Sequence, residues 1–116
     1  MDTIIISELE VFFRVGVPDA ERAQPQRLLV SVEMERNFQR AAAGDDLRET
    51  IDYYAVTRRL LAFGDGRSWK LIETLAVEIA SMILKEFGPE RVRVEVRNFI
   101  ITEARLVAVR VERSRG

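Results

Sequence analysis

Glu73 is the residue whose surroundings most clearly suggest chemistry. It lies in Lys70-Leu71-Ile72-Glu73-Thr74-Leu75-Ala76, where the most amphipathic helical stretch of the chain opens. A carboxylate only accepts, through two oxygens, and can take two parallel N–H donors. Upstream, Ile51-Asp52-Tyr53-Tyr54 opens another helical stretch and supplies a phenol. A carboxylate and a phenol, each where an apolar helix begins, suit a pocket that grips a flat, nitrogen-rich ring, with Glu73 set where the core is expected. The plain alternative is a first-turn glutamate facing the positive end of its helix dipole.

What the chain lacks narrows the chemistry further. It has no cysteine and no histidine, which removes disulfides, thiolate nucleophiles, the commonest general base and the commonest metal ligand. Acid–base work is left to Glu, Asp, Tyr, Lys or bound water. The 18 basic and 19 acidic side chains nearly cancel, so the chain carries no basic footprint for nucleic acid. Arg105, Arg110, Arg113 and Arg115 are interleaved with acids and read as a solvated strand face. No apolar run reaches membrane-spanning length and no basic segment opens the chain, so the expected setting is the cytoplasm. At 116 residues, 47% hydrophobic and 32% charged, residues 1–116 are expected to form a single globular domain with one modest core.

The elements that must position these groups follow from periodicity. Ile5, Leu9, Val11, Phe13 and Val15 share one parity against Glu8, Glu10 and Arg14, which predicts a strand over about 4–17. Leu28, Val30, Val32 and Met34 alternate with polar residues in a second strand over about 27–37. The connection Pro18 to Gln26, carrying Glu21 and Gln26, is longer than a tight turn and is a candidate functional loop. Ala41 to Asp46 reads as a break. Asp52 or a neighbour caps a helix to about Phe63, and Ser68 is an N-cap candidate for a second helix to about Phe87, whose buried stripe is Leu71, Leu75, Ile79, Met82 and Ile83. Val92, Val94 and Val96 mark a third strand, and Val107, Val109 and Val111 a fourth. The order ββααββ indicates an α+β fold, a four-stranded antiparallel sheet with two helices on one face.

Four segments, in order and suitably spaced, resemble the dihydroneopterin aldolase family, the pterin-cleaving enzymes of folate synthesis. They are Gly16-Val17 with Glu21-Arg22 and Pro25-Gln26; Asp45-Asp46-Leu47 with Thr50-Ile51-Asp52-Tyr53; Leu71-Ile72-Glu73-Thr74-Leu75-Ala76; and Val109-Arg110-Val111-Glu112-Arg113. The resemblance covers nearly the whole chain. It implies the tunnelling fold, in which such sheets close side by side into an oligomeric barrel, usually a homo-tetramer or homo-octamer with active sites between neighbouring chains. It also implies retro-aldol cleavage of dihydroneopterin to hydroxymethyl-dihydropterin and glycolaldehyde, with no metal or organic cofactor. On this pattern Glu73 receives the ring N–H and amino group, and backbone near Ile51 and Ile72 completes the ring edge. Tyr53 comes from the partner chain to stack and move protons, with Tyr54 its competitor. Glu21 and Gln26 face the substrate hydroxyls or hold water.

At one position the chain departs from the pattern. Family members usually carry a lysine at the end of the third strand, where this chain reads Val96-Arg97-Asn98-Phe99. Strand parity favours Asn98 as its counterpart, and counting back from Glu112-Arg113 favours Arg97. Arginine is a poor base at neutral pH and asparagine does not titrate, though both can position a water or stabilise an enolate oxygen. Lys70 is a further amine beside the anchoring helix. The alternatives to a slowed aldolase are an epimerase of dihydroneopterin or its triphosphate, a non-catalytic pterin-binding subunit, and an interaction module with no small-molecule site.

Overall fold

The computed structural model describes residues 1–115. Strand β1 (Asp2–Val15) and strand β2 (Gln26–Arg36) form a long antiparallel hairpin joined through a four-residue helix, α1 (Asp19–Arg22). A short helix α2 (Gln39–Gly44) and a 3-10 turn over Leu47–Glu49 lead into helix α3 (Tyr53–Leu61). The two-residue strand β3 (Ser68–Trp69) precedes helix α4 (Ile72–Phe87), and strands β4 (Arg91–Asn98) and β5 (Val107–Ser114) finish the chain. The sheet has five strands in the order β3-β1-β2-β4-β5, antiparallel except where β3 runs beside β1. The expected four strands are present, and the fifth arises because Ser68 and Trp69 pair with Arg14 and Val15. Ser68 is therefore not the N-cap; Leu71 is, and its side chain makes no capping bond. The predicted break at Ala41 to Asp46 is largely helical, closed by Asp45 in the left-handed conformation.

One face of the sheet carries the core. Leu28, Val30, Val32 and Met34 of β2 and Val92, Val94 and Val96 of β4 are all buried. They meet Leu75, Ile79 and Ile83 of α4 and Val56 and Leu60 of α3. Asp52 caps α3, its Oδ1 accepting from Ala55 N at 3.1 Å, and Gly88 ends α4 at φ 68°. In β1 the expected parity holds only from Leu9 onward. Ser7 and Glu8 together oppose the single Ser31, forming a bulge. Glu8 takes φ 56° there, and its N–H donates to Ser31 Oγ at 2.9 Å. The extra residue reverses the facing, so Ile4 and Ile6 pack on the core while Ile5 is 60% exposed.

The opposite face is a lattice of paired charges. Arg93 reaches Glu35 at 2.8 Å and Glu112 at 2.6 Å. Glu95 holds Arg97 at 2.6 Å and Arg110 at 2.5 Å. The Arg110 guanidinium, followed by Arg97, keeps the Glu95 carboxyl below the ordinary range. Among the described residues both sheet edges are largely open: β5 pairs only with β4, and β1 is covered on its outer side only at Arg14 and Val15. Among the described residues no helix is long and apolar enough to cross a membrane.

Candidate active site

The loop after β1 is built around Gly16. At φ 139° it takes a backbone conformation that L side chains rarely adopt, and a Cβ there would overlap Glu21. Glu21 can therefore fold back against the chain. Gln26 fixes the loop from beneath, its Nε2 donating to Val15 O at 2.8 Å and Glu21 O at 2.9 Å. Arg22 ties the opposite rim, donating to Gly16 O at 2.6 Å and Val17 O at 2.7 Å. Gly16 N in turn donates to Trp69 O at 3.0 Å, which anchors the loop to the segment leading into α4.

Trp69 is held on several sides. Its ring lies parallel to Phe63 at 5.8 Å between centroids, 6° from coplanar. The Arg67 guanidinium sits 4.6 Å from the Trp69 ring centre and 4.8 Å from that of Phe63, and it pairs with Glu78. Glu78 also accepts from Trp69 Nε1 at 3.3 Å. Beside this cluster opens a cleft of about 560 Å³ lined by Val17, Trp69, Lys70, Leu71 and Thr74, among others. Gly16 entered the sequence reading only within the first segment of the resemblance, and Trp69 did not stand out as a site residue. The one signal was that Trp69 is the sole tryptophan and lies four residues before Glu73.

Glu73 is on the first turn of α4 and is exposed in the protomer. The expectation of a core position is corrected: the helix begins at Ile72, so Glu73 precedes the buried stripe, which starts at Leu75. With no side-chain cap at Leu71, the first N–H groups of the helix are left without a side-chain acceptor beside the Glu73 carboxylate. Ile72 is half-buried and Ile51 is buried, each with its side chain serving the core. Tyr53 is 62% exposed and Tyr54 68% exposed. Tyr54 lies 6.0 Å beneath Arg58.

Asn98 lies on the face that strand parity gives it in β4. It is buried, opposite Leu28 and Val107, on the helix-bearing face. Its Oδ1 accepts from Ile100 N at 2.9 Å. Because that partner is a donor, the amide is oriented, and Nδ2 remains as the free donor end. Gln26 lies two residues before Leu28, hence on the same face and diagonal to Asn98. Arg97 points to the other face, paired with Glu95 and with Glu8 at 3.2 Å. The fold thus brings Glu21, Gln26 and Asn98 to one end of the sheet and leaves Arg97 out. Tyr53 and Glu73 stand exposed at the starts of α3 and α4. A second depression, of about 550 Å³, lies on the charged face, but its Arg93, Glu95, Arg110 and Glu112 already satisfy one another.

The family model described as FolB: Dihydroneopterin aldolase matches residues 4–112. A Streptomyces coelicolor dihydroneopterin aldolase is 36% identical over 94 residues, covering 81% of this chain and 79% of its own. The Escherichia coli (strain K12) dihydroneopterin aldolase is 29% identical over 114 residues, covering 97% and 93%. A crystal structure of the E. coli enzyme in complex with neopterin matches with a TM-score of 0.93 at 29% identity, over 98% of this chain and 100% of that one.

Proposed function

The chain belongs to the dihydroneopterin aldolase family, and from that premise we infer that it cleaves dihydroneopterin to hydroxymethyl-dihydropterin and glycolaldehyde, as a cytoplasmic step of reduced-pterin and folate synthesis. One observation carries this reading. In a fold matched over 98% of its length by a neopterin-bound enzyme, Glu73 stands exposed on an uncapped helix start, and its neighbours Leu71 and Thr74 line a cleft of about 560 Å³.

The carboxylate of Glu73 takes the ring N–H and amino donors of the pterin, and backbone at Ile72 and Ile51 completes the edge. Tyr53, exposed at the head of its helix, stacks from a neighbouring chain and moves protons. Glu21 and Gln26, stitched into the Gly16 loop, face the substrate side chain. Asn98 donates through Nδ2 to a water or to the oxygen that gains charge. Such a site is completed between subunits, in a homo-tetramer or homo-octamer. The long open edges of β1 and β5 support this, because unpaired strand edges are hidden by pairing with another copy.

The test is a product assay on purified protein with dihydroneopterin. Glycolaldehyde released together with hydroxymethyl-dihydropterin is the expected result. An inverted side-chain centre with no glycolaldehyde means epimerisation. Binding without turnover means a pterin-holding subunit, and no binding overturns the reading.

A further inference from the structure

Glu21 can serve the substrate side chain only if its carboxylate is both held in place and left unpaired. We propose that Arg22 is the positioning residue that secures both conditions, acting through Gly16 and Asp19, an assignment that rests on the cleavage reading above.

The Arg22 side chain is only 17% exposed, and a guanidinium leaves water at low cost only where its donors are used. Its Nη1 donates to Gly16 O at 2.6 Å and to Val17 O at 2.7 Å. These carbonyls are successive, so one nitrogen fixes two peptide planes of the turn. From the other side, Gly16 N donates to Trp69 O at 3.0 Å. Gly16 is thus clamped at both its N–H and its carbonyl in the φ 139° conformation. Glu21 depends on that clamp, because its side chain occupies the space where a Cβ of Gly16 would stand. The return of the loop is fixed as well: Gln26 donates to Glu21 O at 2.9 Å, and Arg14 donates to Arg22 O at 3.2 Å.

The charge of Arg22 is directed elsewhere. Helix α1 carries two acids, Asp19 and Glu21. Arg22 pairs with Asp19, whose side chain is 98% exposed, and Glu21 forms no ion pair with any described residue. The half-buried Glu21 carboxylate therefore keeps its lone pairs for the hydroxyls of a ligand. A guanidinium suits this arrangement because its planar fork presents several donors in one fixed geometry. One nitrogen spans the two carbonyls while the other meets Asp19. A lysine ammonium, a single point charge on a flexible stem, does not hold all three in place.

The test is a double-mutant cycle in the full chain, reading glycolaldehyde release from dihydroneopterin and, by calorimetry, the affinity for 6-methyl-dihydropterin, which has the ring without the hydroxylated chain. Arg22→Gln is expected to lower kcat/KM by about tenfold to a hundredfold. Arg22→Lys, which keeps a cation for Asp19 and should melt close to wild type, is expected to lower it at least about threefold. Affinity for 6-methyl-dihydropterin should change by less than about twofold in both, because the ring is held at Glu73. Glu21→Gln should lower kcat/KM by itself, and adding Arg22→Lys to it should cost less than about a further twofold, since independent effects would multiply. Losses that multiply, an equal loss of 6-methyl-dihydropterin affinity, or an Arg22→Lys protein that turns over like wild type overturn this assignment and leave the cleavage reading standing. Wild-type protein that binds dihydroneopterin and releases no glycolaldehyde overturns the cleavage reading, and the same cycle read in dihydroneopterin affinity then decides the role of Arg22.

Discussion

Replacing Glu73 by glutamine separates recognition from folding. The side chain is exposed in the protomer and belongs to none of the ion pairs among the described residues. Surface changes away from such features alter stability by within about 0.5 kcal/mol, and the first-turn carboxylate contributes about 0.3–1 kcal/mol through the helix dipole. Glu73→Gln should therefore cost well under about 1.5 kcal/mol of stability, a shift of only a few degrees in melting temperature for a domain of this size. Binding should respond quite differently. Glutamine keeps one acceptor oxygen but replaces the other with a donor, which faces a ring N–H or amino group. Hydrogen bonds to charged groups contribute about 1.5–3 kcal/mol each, so the dissociation constant for a dihydropterin should rise about 10- to 150-fold. Titration followed by Trp69 emission reads the affinity directly, because that indole lines the adjacent cleft. The reasoning is refuted if Glu73→Gln binds a pterin as tightly as wild type, or if its lost affinity is matched by lost stability.

Gly16→Ala should lower stability by about 1–3 kcal/mol, since alanine fits poorly at φ 139° and its Cβ would displace Glu21; differential scanning calorimetry measures the loss, and KM should rise with it. Removing the α3 cap with Asp52→Ala leaves Ala55 N unpartnered and should cost about 0.5–2 kcal/mol, read from urea unfolding at neutral pH. Acid stability should depend on Glu95. Its folded-state pKa is depressed, first by Arg110, so the contribution is present above the unfolded-state value of about 4.3 and is lost as pH falls through the lower folded value. A Glu95→Gln protein should show a shallower decline in melting temperature below that point.

Much of this architecture was legible where a single physical signal dominated. Leu28, Val30, Val32 and Met34 alternate cleanly because β2 is a central strand with one face on the helices. A cap at Asp52 or a neighbour was expected because side chains there can accept a backbone N–H, and Asp52 is the one that does. What stayed hidden depends on contacts distant in sequence. The Ser7–Glu8 bulge is fixed by Ser31, 23 residues away from Glu8, so local parity ran through it without notice. The β3 strand exists because Gly16 and Val15 approach Trp69. Of the candidate site, the sequence offered Glu73, Tyr53, Glu21 and Gln26 as candidates through the family resemblance. The facing of Asn98 with the buried valines followed from strand parity, whereas the exposure of Glu73 depended on where the helix starts.

The salt-bridged lattice on the helix-free face has a consequence for how copies can meet. Arg93, Arg97 and Arg110 there are already matched to carboxylates of their own molecule. Laying another molecule flat upon it would strip hydration from satisfied ions and return no new partner. The lateral rims offer the reverse, rows of amides and carbonyls that gain bonds on contact. Were copies to associate, contact sideways, strand beside strand, would be favoured over stacking of sheet on sheet.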